Sequence, residues 1–277
     1  GVNRARLSQN PMFLVTNRPN NSVVVGANAV SDIISFSVNG DGPAQITSFA
    51  MQSTSTFRVK LSLSEAGRKT PLTSSAMHSS TLFGSGQKPY RLPQALLIDE
   101  LRRVEAVITD ISGSSNTVYL EMLAAQDNNI VRDPHGTLRD ARKYEHRLTY
   151  PYFYAVDGGS TALDASGTAE VAVTISPDHD FELFQISGTS TSTYTLDILD
   201  ANTGESLYNS PGDNHYEIAN NLVVGTANYP FRLTVPRMFK RGQKIIVKMT
   251  DTSAATNTVY LCFGGRAIAH QTMGGAQ

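Results

Sequence analysis

Two stretches decide the reading of this chain: TDISGSSNTVYL at residues 109–120 and TDTSAATNTVYL at residues 250–261. Thr109, Asp110, Ser112 and the run Asn116–Leu120 recur, without a gap, as Thr250, Asp251, Ser253 and the run Asn257–Leu261. The same offset sets Gly84 on Gly225, and Pro89, Arg91 and Leu92 on Pro230, Arg232 and Leu233, so that PYRL answers PFRL. Further back, with small shifts, Ser48–Leu63 resembles Leu183–Leu199, and the opening Pro11-Met12-Phe13 pairs with Pro151-Tyr152-Phe153. An ordered match of this kind is the signature of a duplicated unit.

The boundaries follow from the match. Residues 11–125 form one copy and 151–269 the second, with an arm at 1–10, a linker at 126–150 and a tail at 270–277. A chain of 277 residues fits two domains at ~100–200 residues each. Each copy is large enough to bury its own core. In the linker, Asp133-Pro134 and Gly136 read as turn residues, and Leu138–Leu148 is the one stretch with helix-like composition.

Each copy reads as β. SVVVGANAV and DIISFSV are β-branched and aromatic runs bounded by Asn, Gly and Asp. In TFRVKLSL, Phe57, Val59, Leu61 and Leu63 alternate onto one face, and Tyr194, Leu196 and Ile198 do the same in TYTLDIL. Asn202-Thr203-Gly204 supplies a tight connection between apolar flanks. Asp110 and Asp251, each with a Ser two residues on, open turns that their short polar side chains can close. Tyr119 and Tyr260 read as half-buried strand residues. Seven or eight short strands per copy point to an all-β chain of two tandem β-sandwich domains, jelly-roll-like, joined by a short linker. Neither the Trp nor the Cys pair of antibody-type sandwiches is present.

No chemistry-bearing constellation emerges. There is no Gly-x-Ser-x-Gly elbow, phosphate loop, His-Glu-x-x-His or Cys-x-x-Cys. Ser85 and Lys88 match Ser-x-x-Lys without companion motifs. The histidines (His78, His135, His146, His179, His215 and His270) are scattered. Asp178-His179-Asp180 reads as a solvated turn after Pro177. Asp200–Glu205 begins like a calcium loop, but Pro211 stands where the bidentate Glu belongs. Cys262 sits in an apolar run and reads as a buried small hydrophobe. No catalytic, cofactor-binding or metal residue is assigned, no cofactor is implied, and the chain is read as not an enzyme.

A net charge of −1 and a charged fraction of 17%, below the ~25% of ordinary domains, argue against a polyanion binder. Nucleic-acid contact is at most a minor role for Arg4 and Arg6 on the arm. No run approaches the ~20 apolar residues of a membrane-spanning helix.

The two Pro-aromatic-Arg-Leu runs, each followed by a strand and by TD-S---NTVYL, look like those of bacteriophage virion structural proteins. The tandem pair is also similar in scale to the double jelly-roll coat proteins of tailless icosahedral viruses, although it lacks their long helical loop insertions. The resemblance implies a capsid, capsid-decoration or vertex component that self-associates, with a trimer favoured, binds other virion proteins, and resides in a virion assembled in the host cytoplasm. The alternative is a carbohydrate- or receptor-binding module such as a phage fibre or spike protein. Tyr150, Tyr152 and Tyr154 are its candidate platform, but their alternate spacing also fits one packed strand face.

Overall fold

The computed structural model describes residues 11–16, 19–38, 42–134, 136–141, 148–208 and 217–269. The arm with Arg4 and Arg6, the tail, and His135, His146, His215 and His270 lie outside the described residues.

The first copy is built from β1 (Pro11–Val15), β2 (Val23–Val25), β3 (Ile34–Phe36), β4 (Ala44–Ser53), β5 (Phe57–Glu65), β6 (Arg68–Pro71), β7 (Met77–His78), the short helix α1 (Ser79–Leu82), β8 (Tyr90–Ile98), β9 (Arg102–Asp110) and β10 (Asn116–Gln126). One sheet runs β1–β10–β4–β8, with β2 also on β10. The other runs β3–β9–β5–β6, with β7 also on β5. The linker carries β11 (Ile130–Arg132) and β12 (Leu138–Asp140).

The second copy follows with β13 (Thr149–Ala155), β14 (Thr161–Leu163), β15 (Thr168–Thr174), β16 (His179–Ser190), β17 (Tyr194–Asp200), β18 (Ile218–Ala219), α2 (Asn220–Val223), β19 (Phe231–Phe239), β20 (Lys244–Asp251) and β21 (Asn257–Ala269). Its sheets run β13–β21–β16–β19, with β14 on β21, and β15–β20–β17–β18. The strand order repeats that of the first copy, except that β18 answers β7 and no strand among the described residues answers β6. Both copies are antiparallel jelly rolls. Ten and nine strands appear among the described residues, against the seven or eight expected. The difference arises because the opening strand of each roll, and one edge strand of the first, is broken into two short pieces.

Binary patterning drives the collapse. Phe57, Val59, Leu61 and Leu63 are buried along β5, and Tyr194, Leu196 and Ile198 along β17. The repeat extends to a defect. The ladder between β4 and β10 skips Thr47, and the ladder between β16 and β21 skips Phe184. These one-residue bulges occupy equivalent places and bend the same strand in both rolls.

The helix expected over Leu138–Leu148 does not form at its start. Leu138–Asp140 instead pairs antiparallel with Ile130–Arg132, and residues 142–147 lie outside the described set. The hairpin turn is as expected: Gly136 N–H donates to the Asp133 carbonyl at 2.8 Å, with Gly136 at φ +77°. A charge clamp decides for the hairpin. Arg132 grips Asp99 through two bonds (2.6 and 2.7 Å) and also donates to Glu65, which accepts from Arg102 at 2.7 Å. Burial pushes the Glu65 and Asp99 carboxyls up, but the arginines outweigh it and hold both below their ordinary values. No helix of the described residues is long and apolar enough to cross a membrane.

Candidate assembly interface

The repeated motif is a loop clip. Asp110 Oδ1 accepts from the Ser112 hydroxyl at 2.8 Å, and its Oδ2 accepts from the N–H of Asn28 (2.9 Å), Ser112 (3.2 Å) and Gly113 (3.2 Å). Asp251 repeats this with Ser253 (2.7 and 3.1 Å) and the N–H of Ser166 (3.0 Å). The buried Asn116 donates to the Ser55 carbonyl at 3.0 Å and accepts from Ser55 N–H at 3.1 Å. Asn257 likewise donates to the Thr193 carbonyl at 3.3 Å and accepts from Ser192 N–H at 3.0 Å. Burial raises both aspartates, and the converging donors more than offset it, leaving each carboxyl below its ordinary value. The motif therefore ties three loops at one end of each roll, as the turn reading expects.

The two rolls meet face to edge. α1 and β8 of the first roll lie on the outer face of the β13–β21–β16 sheet of the second. A sheet covered on both sides loses the alternation of inside and outside, and β13 is buried at every position from Pro151 to Ala155. Phe153 is fully buried in the core of the first roll, 5.9 Å from Tyr90 and 6.4 Å from Phe49 between ring centroids. Cys262 joins the same core, where burial pushes its thiol up to about 12. Close approach needs glycine: a Cβ on Gly264 would lie 2.8 Å from the Tyr90 hydroxyl oxygen.

Polar contacts fix the docking. The Ser187 hydroxyl donates to the Thr81 carbonyl at 2.6 Å, and Gln185 donates to the Arg91 carbonyl at 3.2 Å. His78 packs on Tyr260 with ring centroids 4.2 Å apart and planes tilted by 37°. The free edge of β13 is also paired. Phe153 N–H donates to the Leu72 carbonyl, and Ser74 N–H to the Phe153 carbonyl, both at 2.9 Å. Edge pairing of this kind adds a strand and satisfies backbone groups left open by the sheet.

Of Asp178-His179-Asp180, only Asp178 lies in the exposed turn expected after Pro177. His179 and Asp180 are buried at the start of β16. His179 Nε2 lies 3.0 Å from the Tyr154 hydroxyl, and its ring packs 4.7 Å from Tyr152. Burial lowers the imidazole and raises the Tyr152 phenol to about 12. Tyr152 and Tyr154 belong to the core of the second roll, so neither presents an exposed platform for a sugar. No group of three metal-ligating side chains occurs among the described residues.

The docking surfaces have counterparts elsewhere in the chain. Sheet register places Phe13 opposite Leu123 as Phe153 stands opposite Gly264, and Tyr119 takes the position of Tyr260. Yet Phe13 is 62% exposed, Val24 68% and Tyr119 42%. The counterparts of α1 and β8 are α2 and β19, where Leu222 is 66% and Val235 75% exposed. Among the described residues, the first roll thus exposes apolar side chains on β1, β2 and β10, and the second roll on α2 and β19. Sequence reading missed this asymmetry, although the aligned pairs Tyr90/Phe231 and Gly264/Leu123 carried a trace of it.

No protein-family model matches the chain, and no curated protein matches its sequence. Solved structures do. The major capsid protein P2 of bacteriophage PM2 aligns over 95% of this chain and 99% of its own, at 10% identity and a TM-score of 0.40. PBCV-1 VP54 aligns over 96% of each chain at 7% identity and a TM-score of 0.40. PNGF-II aligns over 94% of this chain and 66% of its own at 10% identity and a TM-score of 0.36. Identities and scores this low carry no function across.

Proposed function

We propose that this chain is a non-enzymatic virion structural protein, a capsid, capsid-decoration or vertex component, that works by symmetric self-association. Its units are the two sandwiches at 11–125 and 151–269, and its favoured assembly is a closed trimer displaying six similar lobes. The observation that carries self-association is the docking of the first roll on the second, with the counterparts of both surfaces left bare. The exposed Phe13, Val24 and Tyr119 on one counterpart, and Leu222 and Val235 on the other, support a contact at those surfaces. The virion assignment rests on the resemblance of the repeated Pro-aromatic-Arg-Leu and TD-S---NTVYL runs to virion structural proteins. Assembly in the host cytoplasm and contacts with other virion proteins follow from that assignment.

Light scattering of the purified protein across a wide concentration range tests self-association. A trimer, or a larger assembly that grows with concentration, is expected. A monomer at every concentration overturns the reading. Cryo-electron microscopy of particles from the source tests the virion assignment, which fails if no shell density accommodates the two rolls.

A further inference from the structure

We infer that the Asp133–Pro134 bond, at the tip of the linker hairpin, is a self-cleavage site. The Asp133 carboxylate cuts it in a single-turnover reaction that divides the chain between its two rolls. This goes beyond the assembly reading above and does not depend on it.

The covalent chemistry favours scission at this bond. Asp133-Pro134 is the one Asp-Pro pair in the sequence. Attack by an Asp side chain on its own main-chain carbonyl closes a five-membered ring. Nucleophile and target are therefore already joined, and no second reactant has to be brought to the carbonyl. Proline supplies a tertiary amide, and its nitrogen leaves as a secondary amine that takes up a proton readily.

Folding adds the geometry. Gly136 N–H donates to the Asp133 carbonyl oxygen at 2.8 Å. That donor polarises the carbonyl under attack and is already in place for the oxyanion of the tetrahedral intermediate. The next N–H along the chain, that of Thr137, donates to Asp133 Oδ1 at 2.9 Å. Adjacent backbone groups thus hold the side chain and the main-chain carbonyl of one residue on the same side of the turn. Arg139 Nε holds the other carboxylate oxygen, Oδ2, at 2.7 Å from the facing strand. The turn itself is anchored. Asp133 N–H donates to the Thr137 carbonyl at 2.9 Å, and Arg132, clamped on Asp99, donates to the Gly136 carbonyl at 2.5 Å. Pro134 and Gly136 are exposed, so water and its protons reach the bond.

Water is the sole co-reactant. A carboxylate oxygen of Asp133 bonds to the Asp133 carbonyl carbon, the bond from that carbon to the Pro134 nitrogen breaks, and the nitrogen takes a proton from solvent. Water then opens the cyclic anhydride left on Asp133. The products are a C-terminal Asp133 and an N-terminal Pro134, with no change of oxidation state. The contacts of Phe153 and the Ser187–Thr81 bond lie outside the hairpin, so the two pieces stay docked after the cut.

Intact-mass spectrometry tests this. The purified full chain is held at pH 6, folded or unfolded in guanidinium chloride, with and without hydroxylamine, and sampled over days. The folded chain is expected to yield residues 1–133 and 134–277, whose masses add up to the chain plus one water. It should do so at least about tenfold faster than the unfolded chain, which has the same bond without the turn. Hydroxylamine is expected to capture the anhydride as a hydroxamate on Asp133, and Asp133→Ala is expected to abolish the cut. A chain that stays intact, equal rates in the folded and unfolded states, or fragments that never carry the hydroxamate would overturn the proposal and leave Asp133 as a cap on its turn. The comparison of folded with unfolded chain uses wild type alone, so it decides the matter even if the variant fails to fold.

Discussion

Phe13 and Phe153 hold the same place in the opening strands of two copies of one domain, yet Phe153 is fully buried and Phe13 is 62% exposed. The first roll closes over Phe153 with Tyr90 and Phe49. Among the described residues, none closes over Phe13 in the same way. Identical local chemistry has been given two environments by the order of the rolls along the chain.

The pair yields a stability test. Phe153→Ala opens a cavity between the rolls and is expected to cost about 3–5 kcal/mol. Phe13→Ala is expected to change the stability of the dilute monomer by less than about 0.5 kcal/mol. Urea unfolding of both variants at low concentration measures this. Equal losses would show that Phe153 does not hold the rolls together.

The loop clip predicts a symmetric effect. Asn116→Ala and Asn257→Ala each leave the backbone of a neighbouring loop without its buried partner, at about 2–3 kcal/mol per site. Ser112→Ala and Ser253→Ala remove hydroxyls that donate to Asp110 and Asp251 and accept from the N–H of Ser114 and Ala255, all within partly solvated turns, and should cost less, about 1 kcal/mol. Guanidinium unfolding of the four variants checks the ranking. A larger loss at the serines would contradict the clip.

His78 couples the interface to pH. Burial first, and the Arg58 guanidinium second, lower its imidazole from 6.5 to about 4. Between those values the folded chain binds fewer protons than the unfolded one. The contribution is therefore intact above pH 6.5 and is lost progressively as pH falls to about 4, by at most roughly 3 kcal/mol. His78 Nδ1 also accepts from Ser80 N–H at 3.3 Å, a bond that protonation ends. His78→Asn can retain an acceptor there without titrating. Melting temperatures from pH 7 to 4.5 should fall more steeply for wild type than for the variant. Parallel curves would remove His78 from the acid response.

Gly84 and Gly225 share one steric demand. A Cβ at either would lie 2.1 Å from a backbone oxygen, that of Lys88 or of Tyr229. Neither loop can yield without disturbing the strand that follows. Gly84→Ala and Gly225→Ala are both expected to destabilise by more than about 2 kcal/mol. Gly84→Ala should also loosen the contact between the rolls, seen as faster protease cleavage in the linker. Wild-type melting for either variant would show that the loop can relax.

The sequence alone determined the duplication, the all-β class and the faces of the central strands. These are local matters: period-two alternation in β5 and β17 records which side meets the core, and Asp-x-Ser closes a turn with atoms a few residues apart. Tertiary structure alone decided the rest. Leu138–Asp140 has a composition a helix would accept, but Arg132 finds Asp99 and Glu65 only once β5, β8 and β9 are assembled, and the hairpin wins. His179 reads as a turn residue until Tyr152 and Tyr154 enclose it. The unequal burial of Phe13 and Phe153 is invisible in a repeat, because identical residues carry no record of what packs on the outer face of their sheet. That is set by contacts between segments far apart in the chain.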